Sequence, residues 1–223
     1  MAKTETCLNV VAALNERMRV TSIDRVRVTD LCRDAGIARA TFYEYFQDVY
    51  AVATWMWDYL MRTTLYQAGI TLNCYDAHLR KFQALREHRE FFVNAMRIVS
   101  YNSICQHGGR MMADHVETVF ERKAGRPFTA HEALLYEFYN TGAKHMTRHW
   151  VERGMEEEPD EMATLFTGNM PAFLMPYLEP EVEPEALEKQ LEQLVTTGCG
   201  AEARWDCGET PTSRRSVGPD VRP

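Results

Sequence analysis

Residues 28–46 read Val28-Thr-Asp-Leu-Cys-Arg-Asp-Ala-Gly-Ile-Ala-Arg-Ala-Thr-Phe-Tyr-Glu-Tyr-Phe46. The pattern is that of two short helices meeting across a tight turn. Cys32 is small enough for the second helix to approach the first. Gly36 stands at the turn, where a left-handed backbone excludes most side chains. Leu31, Ala35, Ile37, Phe42 and Phe46 recur at helical intervals and supply a shared core. Arg39, Ala40, Thr41, Tyr43, Glu44 and Tyr45 are left on outward or flanking faces. These types suit a helix lying in a nucleic-acid groove: arginine bonds guanine bidentately, threonine offers a methyl and a hydroxyl, and tyrosine hydroxyls reach phosphates. Helical hairpins with a turn glycine and surface Arg and Tyr are also common without that use.

Outward from this stretch, helical spacing dominates. Cys7, Val11, Leu14 and Met18 mark one face of a first helix over about 4–18, with Thr4 as its cap. A helix capped by Asp48 is expected to run to about Gln67, with Val52, Trp55, Met56, Tyr59 and Leu60 as a broad apolar stripe. Further helices are predicted over 76–88, 91–98 and 111–120, with Gly108-Gly109 interrupting the pattern before the last. Thr129-Ala-His-Glu132 has capping-box spacing and should open a helix ending at Arg153-Gly154. Glu158-Pro159-Asp160-Glu161 should open the next, reaching about Tyr177 and segmented by Pro171 and Pro176. No stretch alternates at a period of two, so an all-α fold is expected. Beyond Tyr177 an acidic, Pro-punctuated linker precedes one possible helix, 184–196, and a tail rich in Gly, Pro and Ser that reads as disordered.

Charge is distributed unevenly. Of the net −7, residues 178–223 carry ten acidic and five basic side chains, leaving only −2 for the rest. Between Arg17 and Tyr45, six arginines face four acids, a local net of +2. Such a balance argues against non-specific coating of DNA and permits a docked helix. Six scattered cysteines without a Cys-x-x-Cys pair, no secretory signal and no apolar run long enough for a bilayer point to the cytoplasm, with no membrane partner. Cys199 and Cys207 read as idle thiols rather than a redox pair.

The run from Asp34 to Asp48 closely resembles the recognition segment of TetR/AcrR-type transcription regulators, Ala-Gly-(Val/Ile)-Ser-x-(Gly/Ala)-Thr-(Phe/Leu)-Tyr-x-(His/Tyr)-Phe. The resemblance covers about the first 60 residues. It implies an N-terminal three-helix helix-turn-helix DNA-binding domain, residues 1–47, and a helical ligand-sensing and dimerisation domain, residues 48–178. Residues 179–223 form the linker and tail. It implies that residues 38–46 are the recognition helix, with Arg39, Ala40, Thr41, Tyr43, Glu44 and Tyr45 at bases or phosphates of double-stranded DNA. A homodimer on a palindromic operator follows, most often a repressor relieved by a small-molecule effector.

Four departures bear on affinity. Ala38 replaces the usual hydroxyl cap, at a cost of about 1 kcal/mol. Val49 stands where a lysine often meets phosphate. Arg27 replaces a hydroxyl before the second helix, where Thr29 could cap later instead. Glu44 adds a negative charge near the backbone path. Together these predict weaker or more salt-sensitive operator binding, or reliance on cooperative assembly.

In the second domain, Leu135, Phe138, Gly142, Met146 and His149 follow one stripe and Leu165, Phe166, Gly168, Met170 and Phe173 another. They suggest a dimer-forming helix pair, or alternatively closure of the monomer core. Phe92, Met96, Tyr139 and Trp150 are candidates for an effector cavity and equally for core. His145 and His149, one helical turn apart, lack a third ligand, so no metal and no cofactor are expected. Phosphate-loop, zinc-protease and nucleophile-elbow motifs are absent, and an enzyme is not expected. The alternative function is a regulator-fold co-activator acting through protein partners.

Overall fold

The computed structural model describes residues 3–97 and 104–181. Among these residues the fold is all-helical, with nine α-helices and no strand. They are α1 (Lys3–Met18), α2 (Val28–Asp34), α3 (Arg39–Tyr45), α4 (Val49–Met61), α5 (Cys74–Glu87), α6 (Arg89–Ala95), α7 (Ile104–Ala124), α8 (Ala130–Glu152) and α9 (Pro159–Gly168). The sequence-predicted helix over 184–196, the disordered tail and the Cys199/Cys207 pair lie outside the described residues.

Local chemistry sets most helix ends. Asp48 accepts from the Ala51 amide at the start of α4, and Asn73 does the same for Asp76 at α5. Thr129 and Glu132 form the expected capping box on α8, and Glu158 and Glu161 form a second on α9 behind Pro159. Helix α8 ends at Glu152, two residues before Gly154, whose φ of +84° a side chain would resist. Helix α4 stops at Met61, short of Gln67: Thr64 leaves helical geometry and residues 65–67 form a separate 3-10 turn. Likewise α9 ends at Gly168, and residues 175–177 form an isolated 3-10 turn beyond Pro171.

One expectation is reversed. Gly108-Gly109 does not break a helix; α7 runs through both, because close packing requires residues without a Cβ there. A Cβ on Gly108 would stand 2.7 Å from the Trp57 ring, and one on Gly109 would collide with the Lys144 stem. Each glycine weakens an isolated helix by roughly 0.5–1 kcal/mol, and the contacts it permits offset that loss.

The buried residues form one continuous cluster from Cys7 to Leu178. Helix α1 packs on α2, α4 and α6; α5 pairs most extensively with α9, and α7 with α8. Val52, Ala53, Met56 and Trp57 are all buried on α4, so this helix serves both the N-terminal and the C-terminal packing. Cys7, Cys32, Cys74 and Cys105 are free thiols, the first three buried.

Replacing Gly108 with Ala should lower the unfolding free energy by about 1–3 kcal/mol, the range for overpacking a full core. The urea midpoint checks this, since the buried Trp57 ring has nowhere to retreat.

Candidate nucleic-acid interface and inner cavity

The turn between α2 and α3 is closed by its backbone. Gly36 adopts φ +67°, its amide donates to the Arg33 carbonyl at 3.3 Å, and the Ile37 amide donates to the Cys32 carbonyl at 2.9 Å. This crossed pair satisfies the last carbonyls of α2 as in a Schellman motif. Leu31, Cys32, Phe42 and Phe46 are buried beneath it, and Ile37 is half-buried against them. Neither short helix has a side-chain cap: α2 begins at Val28 behind Arg27, so Thr29 does not serve, and α3 begins behind Ala38.

Packing of Phe42 and Phe46 alone therefore leaves one face of α3 outward. Arg39, Ala40, Tyr43 and Glu44 are exposed on it, with Tyr43 at 51 %. Thr41 and Tyr45 are half-buried at its flanks, and the Lys3 ammonium sits 5.7 Å from the Tyr45 ring centre.

The six arginines of this region divide into two sets. Arg17 binds Asp34 at 2.6 Å and lies near Asp30, Arg33 pairs with the same two acids, and Arg19 joins Glu16 to Glu90 on α6. Arg25, Arg27 and Arg39 carry no ion pair among the described residues. The first set is engaged within the chain; among the described residues the second is not. Val49, where a lysine was anticipated, is buried in the first turn of α4.

A second feature lies between α4, α5, α7 and α8: an inner cavity of about 40 Å³. Trp57 and Met112 form apolar wall, Gly108 and Gly109 open the space, and Lys81, Lys144, His78, Cys105 and Thr147 supply polar atoms. Lys81 is 4 % exposed and donates to Thr147 Oγ1 at 2.9 Å. Its ammonium lies 4.4 Å from the Phe82 ring centre and 4.7 Å from that of Phe166. Burial lowers the Lys81 pKa to about 7, and burial, then the nearby Lys81 charge, lowers that of His78 to about 3. The Cys105 thiol is pushed up, chiefly by burial.

Of the four residues proposed for an effector cavity, only Tyr139 lines this space. Phe92 packs edge-on against Trp57, Trp150 packs on Phe82 with its indole N–H on the Glu157 carbonyl, and Met96 is fully buried. Lys81 was missed by the sequence reading. Its position on α5 between Ala77 and Leu85 marks an inward face, but a lysine there reads as a solvated end unless the facing helix is known.

An outer groove of about 560 Å³ separates α8 from α9 and the segment that follows. Leu135, Phe138, Gly142, Met146, Leu165, Phe166 and Phe173 all line it, whereas His149 stands exposed beyond its end. Phe138 is 85 % exposed. His145 and His149 stack in parallel, and among the described residues no group of three potential metal ligands occurs. No helix among them is long and apolar enough to cross a membrane.

Residues 73–171, from α5 to the end of α9, match a TetR-type family model described as a transcriptional regulator C-terminal region. Over those residues, just under half of its length, the chain is similar to the C-terminal region of TetR-type regulators. The chain is also similar to a solved structure, the dihydroxyacetone kinase operon activator DhaS. That similarity has 15 % identity, a TM-score of 0.49 and coverage of 78 % of this chain and 96 % of the other. No curated protein matches it.

His78 and Lys81 both bind protons less readily folded than unfolded, so the unfolded chain holds more protons between about pH 3 and 6.5 and again above about 7. Stability should rise with pH through each window. The upper rise ends near pH 9, where the buried Cys74 thiol, held up to about 11, starts to act in the opposite sense. Urea titrations of wild type and Lys81→Met across pH 7–9 check this: the rise should be smaller in the variant.

Proposed function

We propose that the chain is a DNA-binding transcription repressor of the cytoplasm that acts as a homodimer on a palindromic operator and responds to a small-molecule effector. Residues 1–47 would form the DNA-binding unit, 48–178 the sensing and dimerising unit, and 179–223 the linker and tail. The observation that carries this reading is the outward face of α3. Behind a Gly36 turn, Arg39, Ala40, Tyr43 and Glu44 protrude, and Thr41 and Tyr45 flank them. A helix held only by its inner aromatics and leaving Arg, Thr and Tyr outward fits the major groove. Arg25, Arg27 and Arg39 would neutralise phosphates.

The outer groove supports the dimer. Seven of the eight residues proposed for the interface line one apolar depression, and nothing lies within 4 Å of a Cβ built on Gly142 or Gly168. A second copy can therefore approach these helices closely. Effector response would run through α4, whose Trp57 lines the inner cavity and which begins at Val49, four residues after the last residue of the recognition helix.

Burial of Val49 and exposure of Glu44 favour a second reading, a co-activator of weak DNA affinity working through protein partners. Salt-dependent binding to the DNA upstream of the chain's own gene separates the two. Its absence at low salt supports the partner-only role.

Thr41→Ala and Tyr43→Ala should each abolish operator binding in a mobility-shift titration while helicity and dimer mass stay unchanged. Normal binding by both variants would mean that α3 is not the reading helix. Phe138→Asp should convert the dimer to a monomer by light scattering, because it places a charge on the most exposed apolar side chain of the groove.

A further inference from the structure

The inner cavity has a composition that the regulator reading does not by itself require. Two lysines reach it, Lys81 and Lys144, and no Asp or Glu lines it. Lys81 has no carboxylate partner among the described residues; its hydrogen bond goes to the Thr147 hydroxyl. An ammonium has three N–H donors, so Thr147 leaves two to be satisfied. Aromatic faces of Phe82 and Phe166 ease its burial but accept no full hydrogen bond. A buried cation in this setting either sheds its proton or takes a counter-ion.

We propose that this cavity binds a small carboxylate anion, its oxygens on the Lys81 ammonium and its short alkyl end against Trp57 and Met112. The volume of about 40 Å³ exceeds what one water requires and suits a molecule of a few heavy atoms. Lys144, whose stem crosses Gly109, adds a second positive charge at the rim. His78 contributes none: its ring is buried and held neutral, with Nδ1 on the Cys74 carbonyl and Nε2 facing the Tyr139 hydroxyl. Asn140 is occupied too, its side-chain amide donating to the Gly109 carbonyl. Selection therefore rests on the lysines, and a neutral amide of the same shape would offer one acceptor oxygen instead of two and no charge. Lys81 titrates near neutrality when the site is empty, so the anion draws a proton in with it above pH 7. Assigning this anion as the effector rests on the regulator reading; its binding does not.

Calorimetry on the full chain at about pH 8, with acetate, propionate and butyrate, tests the site. Expected is saturable binding of at least one carboxylate, with proton uptake shown by a heat that varies with buffer ionisation enthalpy. Propionamide should give no such binding. Lys81→Met should weaken the carboxylate by at least about tenfold, the loss for one buried charged hydrogen bond. Absence of saturation at millimolar concentration, equal binding of the amide, or unchanged binding in Lys81→Met would overturn the proposal. The wild-type comparison decides even if the variant misfolds. Operator binding measured on the same samples keeps the two ideas apart. DNA binding without carboxylate binding removes this site and leaves the regulator; carboxylate binding without DNA binding does the reverse.

Discussion

Everything in this molecule depends on α4 belonging to two packings at once. Its inner residues close the N-terminal helices, where Phe46 meets Trp55 edge-on, and two residues later Trp57 presses into the C-terminal helices against Gly108 and Phe92. Interiors packed to this density transmit displacement rather than absorb it. A shift of the Trp57 ring must therefore move the helix that carries it. The Arg19 contact with Glu90 forms a second link between the same two regions, but it is exposed and worth little on its own.

Much of this was legible in the chain. The Gly36 turn, the Phe42 and Phe46 core, the capping box at Thr129 and the proline start at 159 are local devices whose chemistry acts within a few residues. The apolar stripe that lines the outer groove was legible for a related reason: an apolar side chain such as Phe138 is conspicuous at helical spacing wherever it points. What stayed hidden depends on partners distant in sequence. Gly108-Gly109 reads as a break until Trp57 and Lys144 are known to lie across it. Phe92 and Trp150 carry the same periodicity whether they line a cavity or fill a core. Lys81 looks like solvent-facing charge until α8 and α9 are laid over it.

Counting charges along the sequence does not show how they are used. Six arginines against four acids near the turn give a local net of +2, and in the fold Arg17, Arg19 and Arg33 are engaged with the chain's own acids. Arg17 joins α1 to α2, Arg19 joins the end of α1 to α6, and Arg33 pairs with acids of its own helix. The cationic surface left for a polyanion is smaller than the composition implies, and it is concentrated at Arg25, Arg27 and Arg39. Tyr139, Ala143 and Phe166 line both the inner cavity and the outer groove, so one thin wall separates the lysine-bearing cavity from the apolar face outside.

The two seven-residue helices α2 and α3 have neither side-chain caps nor the length to persist alone; single helices below about 12–15 residues are marginal in water. They are shaped by α1 and by the root of α4. Anyone building a chimera by transplanting this head onto another body would therefore do badly to cut after residue 47. The graft must carry α4 at least to Met61, and with it the Trp57 side chain that belongs to the body left behind.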